Sequence, residues 1–166
     1  MLCQGCGAQA PDVPELRSGH LYVGAAAGCW AAYTELIGVL MADPAQAELH
    51  MLGVDVYMVQ HPGTPGRQSS QSVWVHLVGL CLSLEHGFDG RASARAKARL
   101  AVPGATFPWL EPPPSLGQLT VFDMLAAAEQ RDYGAVRRWA EGVWAAWEPH
   151  RPAIRQRAAE FLPRGG

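Results

Sequence analysis

Four cysteines and six histidines carry most of the reactive chemistry of this chain, and two of the cysteines stand in a spacing that suits a metal ion. Cys3-Gln4-Gly5-Cys6-Gly7 is a CxxC turn followed by glycine, in which two thiolates can point at one ion while backbone amides donate to the sulfurs. Structural zinc takes four ligands, and this turn supplies two. Cys29 is the expected third, because it sits at the start of a helix, where the terminus favours a thiolate. His50 is preferred as the fourth, since it would tie the N-terminal segment to a central helix. His20 is the alternative, closing a self-contained knuckle. The expected cofactor is therefore Zn2+, held by Cys3, Cys6, Cys29 and His50. Two other readings compete: an ordinary pair of surface thiols, and a thioredoxin-like redox centre, whose βαβ setting is not visible here. Cys81, within LVGLCLSL, reads as a buried small hydrophobe.

A second group of chemistry-bearing residues lies on two central helices. At ~100° per residue, His50, Val54, Tyr57 and His61 share one stripe, while Asp55 points away among Met51, Met58 and Val59. A carboxylate in apolar company needs a partner. On the next helix, His76 shares a polar seam with Ser69, Ser72 and Ser83, so Asp55 and His76 can meet across the two helices. That pair reads either as an Asp-oriented histidine acting as base or metal ligand, in a pocket completed by His61, Gln60 or Tyr57, or as a polar bridge that fixes helix register. The candidate catalytic residues are thus Asp55, His61 and His76. The loop HPGTPGRQSSQS leads into a helix N-terminus and could hold an anion through Arg67. It lacks the glycine spacing and lysine of a P-loop, so a surface turn is the competing reading.

The elements that must position these groups read as helices. Apolar residues recur at three- and four-residue steps from about Gly28 to Met41, and Asp43-Pro44 marks a break and the cap of a second helix running to Gln60. A third runs from Gln71 to about His86, with Ser69 or Ser70 as its cap. A short Ala/Arg-rich helix spans Arg91 to Leu100. Further helical segments cover Thr120 to Glu129, Tyr133 to Trp147 and Pro152 to Leu162. The proline-rich stretch VPGATFPWLEPPPSLG is expected to wrap the surface as an extended arm anchored by Phe107, Trp109 and Leu110. The fold class is all-α, a single helical domain over 1–166: an irregular zinc cap at 1–27, core helices at 28–100, the arm at 101–118 and C-terminal helices at 119–162.

Composition narrows the function classes. The 166 residues are 49% hydrophobic and 17% charged, the balance of a globular protein. Thirteen basic against 15 acidic residues give a formal charge of -2, so no overall positive field draws the chain to nucleic acid or anionic lipid. Trp139, Trp144 and Trp147 are read as core, because Glu141 and Glu148 offset Arg137 and Arg138. No apolar run reaches the ~18 residues of a membrane span, and the first residues lack the basic and apolar regions of a signal peptide. A cytoplasmic location is expected, where disulfides are disfavoured. The single lysine, Lys97, among 12 arginines fits a bacterium of high genomic G+C content.

CxxCG, Gly28-Cys29-Trp30, HMLGVDVYMVQHPG, QSVWVHL, FPWLEPPPSLG and WAEGVWAAW together resemble an uncharacterised bacterial family of small proteins of unknown function, and the resemblance covers nearly the whole chain. It implies one architecture and no activity. In the placing of histidines on bundle helices alone, the chain is similar to DinB-like thiol transferases, which implies that His50, His61 and His76 could hold a catalytic metal. Three functional readings follow: a zinc-stabilised helical protein binding a small molecule or protein partner; a metal-dependent hydrolase or transferase using Asp55, His61 and His76; and a regulatory or nucleic-acid-binding module.

Overall fold

The computed structural model describes residues 1–13 and 21–163. Among these, seven α-helices make up the regular structure, joined by short 3-10 turns at Glu148–His150 and Ala159–Phe161. They are α1 (Ala27–Ala42), α2 (Ala47–Gln60), α3 (Arg67–His86), α4 (Gly90–Leu100), α5 (Val121–Glu129), α6 (Gly134–Ala146) and α7 (Arg151–Ala158). The fold is all-α. An isolated antiparallel bridge between Leu2 and Gln9 is the extended pairing found among the described residues.

The middle of the fold is α2, which packs against α1, α3, α4 and α6. Its run from Val56 to Gln60 is buried all round, as expected of a helix that is apolar on nearly every side. The short 43–46 connection makes α1 and α2 an antiparallel pair. Tyr33 stacks on Tyr57 with ring centroids 4.0 Å apart, and a Cβ at Gly53 would lie 3.5 Å from Leu40 and 3.6 Å from Ile37. This pairing sets the start of α1 beside the end of α2.

Two helix starts differ from expectation. Asp43 accepts the Ala45 N–H at 2.9 Å in a turn, and α2 begins only at Ala47. α3 begins at Arg67, ahead of the serines expected to cap it; Ser69 Oγ instead donates back to the Thr64 carbonyl at 2.6 Å. By contrast, Thr120 caps α5 in a full capping box with Asp123. α3 ends on Gly87 in the left-handed conformation at φ 67°, where a side chain would be strained.

The arm over 101–118 is held by its backbone as much as by its apolar anchors. Trp74 Nε1 donates to the Pro108 carbonyl at 2.8 Å, and Leu110 and Leu116 are buried. Gln60, wholly buried, donates through Nε2 to the carbonyls of Leu116 and Leu119 at 3.0 and 2.8 Å. Its Oε1 accepts from Trp139 Nε1 at 3.1 Å, so one amide ties α2, the arm and α6 together. Trp139, Trp144 and Trp147 lie in the core, and Trp147 Nε1 donates to the Val59 carbonyl at 3.2 Å.

Candidate metal centre and a buried charge cluster

The CxxC turn is closed by its own backbone: Gly7 N–H donates to the Cys3 carbonyl and Cys3 N–H to the Ala8 carbonyl, each at 2.9 Å. The turn rests on the N-terminal end of α1, where the N–H of Ala26, the residue before the helix, donates to Cys3 Sγ at 3.4 Å. No room separates the layers here, since a Cβ at Gly28 would collide with the Pro11 carbonyl. Cys29, in the first turn of α1, and His61, at the C-terminal cap of α2, complete a group with Cys3 and Cys6. One ligand atom from each lies within 4.8 Å of all the others, and the four residues can hold a metal ion.

The distances can be set against a tetrahedral ion. With metal–sulfur bonds of about 2.3 Å and metal–nitrogen bonds of about 2.0–2.1 Å, ligand atoms should stand roughly 3.8 Å (S to S) and 3.5 Å (S to N) apart. Cys6 Sγ lies 3.8 Å from Cys29 Sγ, and Cys29 Sγ lies 3.4 Å from His61 Nε2. The tautomer also fits. His61 Nδ1 lies 2.8 Å from the Tyr57 carbonyl, an acceptor only, so Nδ1 carries a proton and Nε2 is the nitrogen turned to the sulfurs, the one free to exchange its proton for an ion. Tyr57 stacks on the His61 ring at 4.0 Å and donates its hydroxyl to Cys29 Sγ at 3.6 Å.

Electrostatics within the group point the same way. Hydrogen bonding from Cys29, and then from Cys6, holds the Cys3 thiol well below the usual range. The same contacts, with burial, drive Cys29 far above it. Burial pulls His61 down, but Cys3 and Cys6 outweigh it and bring the imidazole up to about 9. One negative sulfur is thus stabilised by protonated neighbours; ionising all three sulfurs together calls for a multivalent cation between them.

Of the residues expected to ligate, Cys3, Cys6 and Cys29 come together, whereas His50 does not join them. Its place is taken by His61. The two histidines share one stripe of α2, eleven residues and so about 16 Å apart along the axis. The antiparallel α1–α2 pair decides between them, because a ligand at the start of α1 faces the end of α2. His20 lies outside the described residues.

Asp55, fully buried, accepts through Oδ1 from His76 Nδ1 at 2.7 Å and from Lys97 Nζ on α4. His76 was visible as its partner in the helical pattern; Lys97 was missed, although the only lysine of the chain, inside an arginine-rich helix, was the signal for it. The carboxylate lies against the backbone of α3, where a Cβ at Gly79 would collide with it. Asp55 and His76 do not form a metal-holding group with His61 among the described residues. Gln60 and Tyr57 are likewise occupied elsewhere, and Arg67 is exposed at the start of α3. A further group, Cys81, Glu85 and His86, has its carboxylate committed: Arg155 donates to Glu85 at 2.8 Å through both Nε and Nη2, and Trp144 Nε1 donates at 2.9 Å. No helix of the described residues is long and apolar enough to cross a membrane.

Comparison with known families gives one match. A model described as a family of unknown function (DUF5946) matches residues 1–148, and the chain belongs to that family. The matched span includes the four-residue metal group and the Asp55–His76–Lys97 cluster. No curated protein and no solved structure matches.

Proposed function

We propose, starting from a family whose function is unknown, that this protein is a zinc-binding helical scaffold whose ion is structural and whose folded surface serves a small ligand or a protein partner. The observation that carries the reading is the convergence of three cysteine sulfurs and one imidazole, with the His61 ring held by the Tyr57 carbonyl so that Nε2 is the nitrogen turned to the sulfurs. Three sulfurs and one imidazole are a ligand set typical of structural zinc, and four protein ligands leave no position for a reacting water. Burial supports the same role: Cys3, Cys29 and His61 are 2%, 0% and 1% exposed. The ion would join the N-terminal turn to the start of α1 and the end of α2, at one end of the antiparallel pair. Four free cysteines fit a reducing compartment, and a cytoplasmic bacterial protein is the setting we infer.

Cobalt substitution tests the site directly. Co2+ in a tetrahedral site with three sulfurs gives intense visible d–d bands and sulfur-to-metal charge transfer. The expected result is that spectrum at one equivalent, displaced by one equivalent of Zn2+, abolished in Cys29→Ser and altered in His61→Ala. An octahedral, weakly coloured cobalt complex, or a tetrahedral spectrum unchanged in His61→Ala, sinks the assignment.

A further inference from the structure

The Asp55–His76–Lys97 cluster is built in a way that register-fixing alone does not require. Asp55 is fully buried and Lys97 is 6% exposed, so their charges cancel inside the fold. His76 needs no charge to complete the set. Its Nδ1 is turned to the acceptor-only carboxylate and carries the proton, which leaves Nε2 as a basic lone pair. The His76 side chain keeps 18% of its surface exposed, on the wall of a groove of about 260 Å³. Gln68, Gln71 and Ser72, one and two turns up the same helix, and Tyr22 from the cap line that groove. Among the described residues, its walls therefore offer neutral donors and acceptors, with His76 as the one titratable imidazole.

We propose that His76 is the general base of a hydrolytic site in this groove, acting on a small uncharged ester. Asp55 is a positioning residue that fixes the tautomer, and Lys97 is its second partner on the same oxygen. No hydrogen bond joins Ser72 to His76 among the described residues, so the proposal assigns the nucleophile's part to a water rather than to the serine. In the step, His76 Nε2 takes a proton from that water as its oxygen bonds to the acyl carbon. The bond from that carbon to the alcohol oxygen then breaks, and the proton passes from His76 to the leaving oxygen. Ester and water become acid and alcohol with no change of oxidation state. The lining of the groove shares no residue with the cysteine group among the described residues, so the base and the metal ligands can be varied separately.

The test is hydrolysis of p-nitrophenyl acetate by the full zinc-loaded chain, measured beside free imidazole at the same concentration. Saturable turnover is expected, slower in D2O, with kcat/KM falling by about 100-fold or more in His76→Gln, as loss of a positioned base requires. The glutamine amide can still donate to Asp55, so His76→Gln keeps the bridge and the circular dichroism spectrum while losing the base. Asp55→Asn should lower kcat with KM little changed, and His150→Ala should leave both as they are. A wild-type rate no greater than that of imidazole, or full activity in a folded His76→Gln, overturns the proposal.

Discussion

Removing His61 is the perturbation whose size can be worked most directly. An ion held by Cys6, Cys29 and His61 closes two stretches of chain, spanning 23 and 32 positions. Treated as cross-links of the unfolded chain, these closures are worth about 3.4 and 3.7 kcal/mol. Their sum, about 7 kcal/mol, is a large share of the ~5–15 kcal/mol by which a domain is usually stable. His61→Ala keeps the three sulfurs and opens the longer loop, so Tm should drop by roughly 7–15 °C at the ~2–4 °C per kcal/mol expected for this chain length. Chelation of the wild type should lower Tm further, since it opens both loops. His50→Ala, three turns away on the same stripe, should shift stability by no more than about 0.5 kcal/mol. The assay is a set of melting curves followed at 222 nm with zinc and with excess chelator. Melting of His61→Ala within 2 °C of wild type, or a chelator-insensitive wild type, refutes the reasoning.

Three other outcomes follow from the packing. Asp55→Ala leaves Lys97 buried without its counter-charge and should cost about 3–5 kcal/mol in urea denaturation; Asp55→Leu combined with Lys97→Met should recover much of that loss, and a double variant no better than the single one would contradict the pairing. Gln60→Ala strands the Trp139 N–H and the Leu116 and Leu119 carbonyls, so a loss of at least about 2 kcal/mol is expected by the same method, with weakened hydrogen-exchange protection where α6 meets the arm. The pH dependence has a definite sign. Burial, helped by Asp55, pushes the Tyr33 phenol up to about 12, and burial, helped by Glu85, pushes the Cys81 thiol up to about 12, from ordinary values of 10.0 and 9.0. Both groups release their protons more readily in the unfolded chain, so their stabilisation is complete below about pH 9 and is lost as pH rises toward 12. Unfolding midpoints measured across that range should fall, and Cys81→Ala should remove the part that begins near pH 9.

The helices were legible because long apolar stripes at three- and four-residue steps leave little choice of structure, and the CxxC turn because its chemistry is local. The start of α3 was not legible: with no side chain capping the helix, Ser69 and Ser70 looked like starts but lie inside it, buried. The fourth member of the metal group was ambiguous for a different reason. His50 and His61 fall on the same stripe of α2, and periodicity along one helix carries no information about axial level; only the antiparallel packing of α1 on α2 supplies it. The contact between Asp55 and His76 could be read from two facing seams. Lys97 stood out only as the single lysine of an arginine-rich helix, and its partner was not legible, because α4 is polar over most of its surface and the turn it makes toward α2 is a tertiary event.

The order of the four residues along the chain has a consequence for synthesis. Cys3 and Cys6 emerge from the ribosome first, Cys29 follows, and His61 appears 58 positions after Cys3. At ~5–20 residues per second, the nascent chain spends roughly 3–12 s as an incomplete chelate of two and then three thiols. During that interval any thiophilic cation can be taken up or lost, and oxidants can reach the sulfurs. An ion held by all four would be captured durably only once the end of the second helix had left the exit tunnel, so the moment of its commitment would be set by translation.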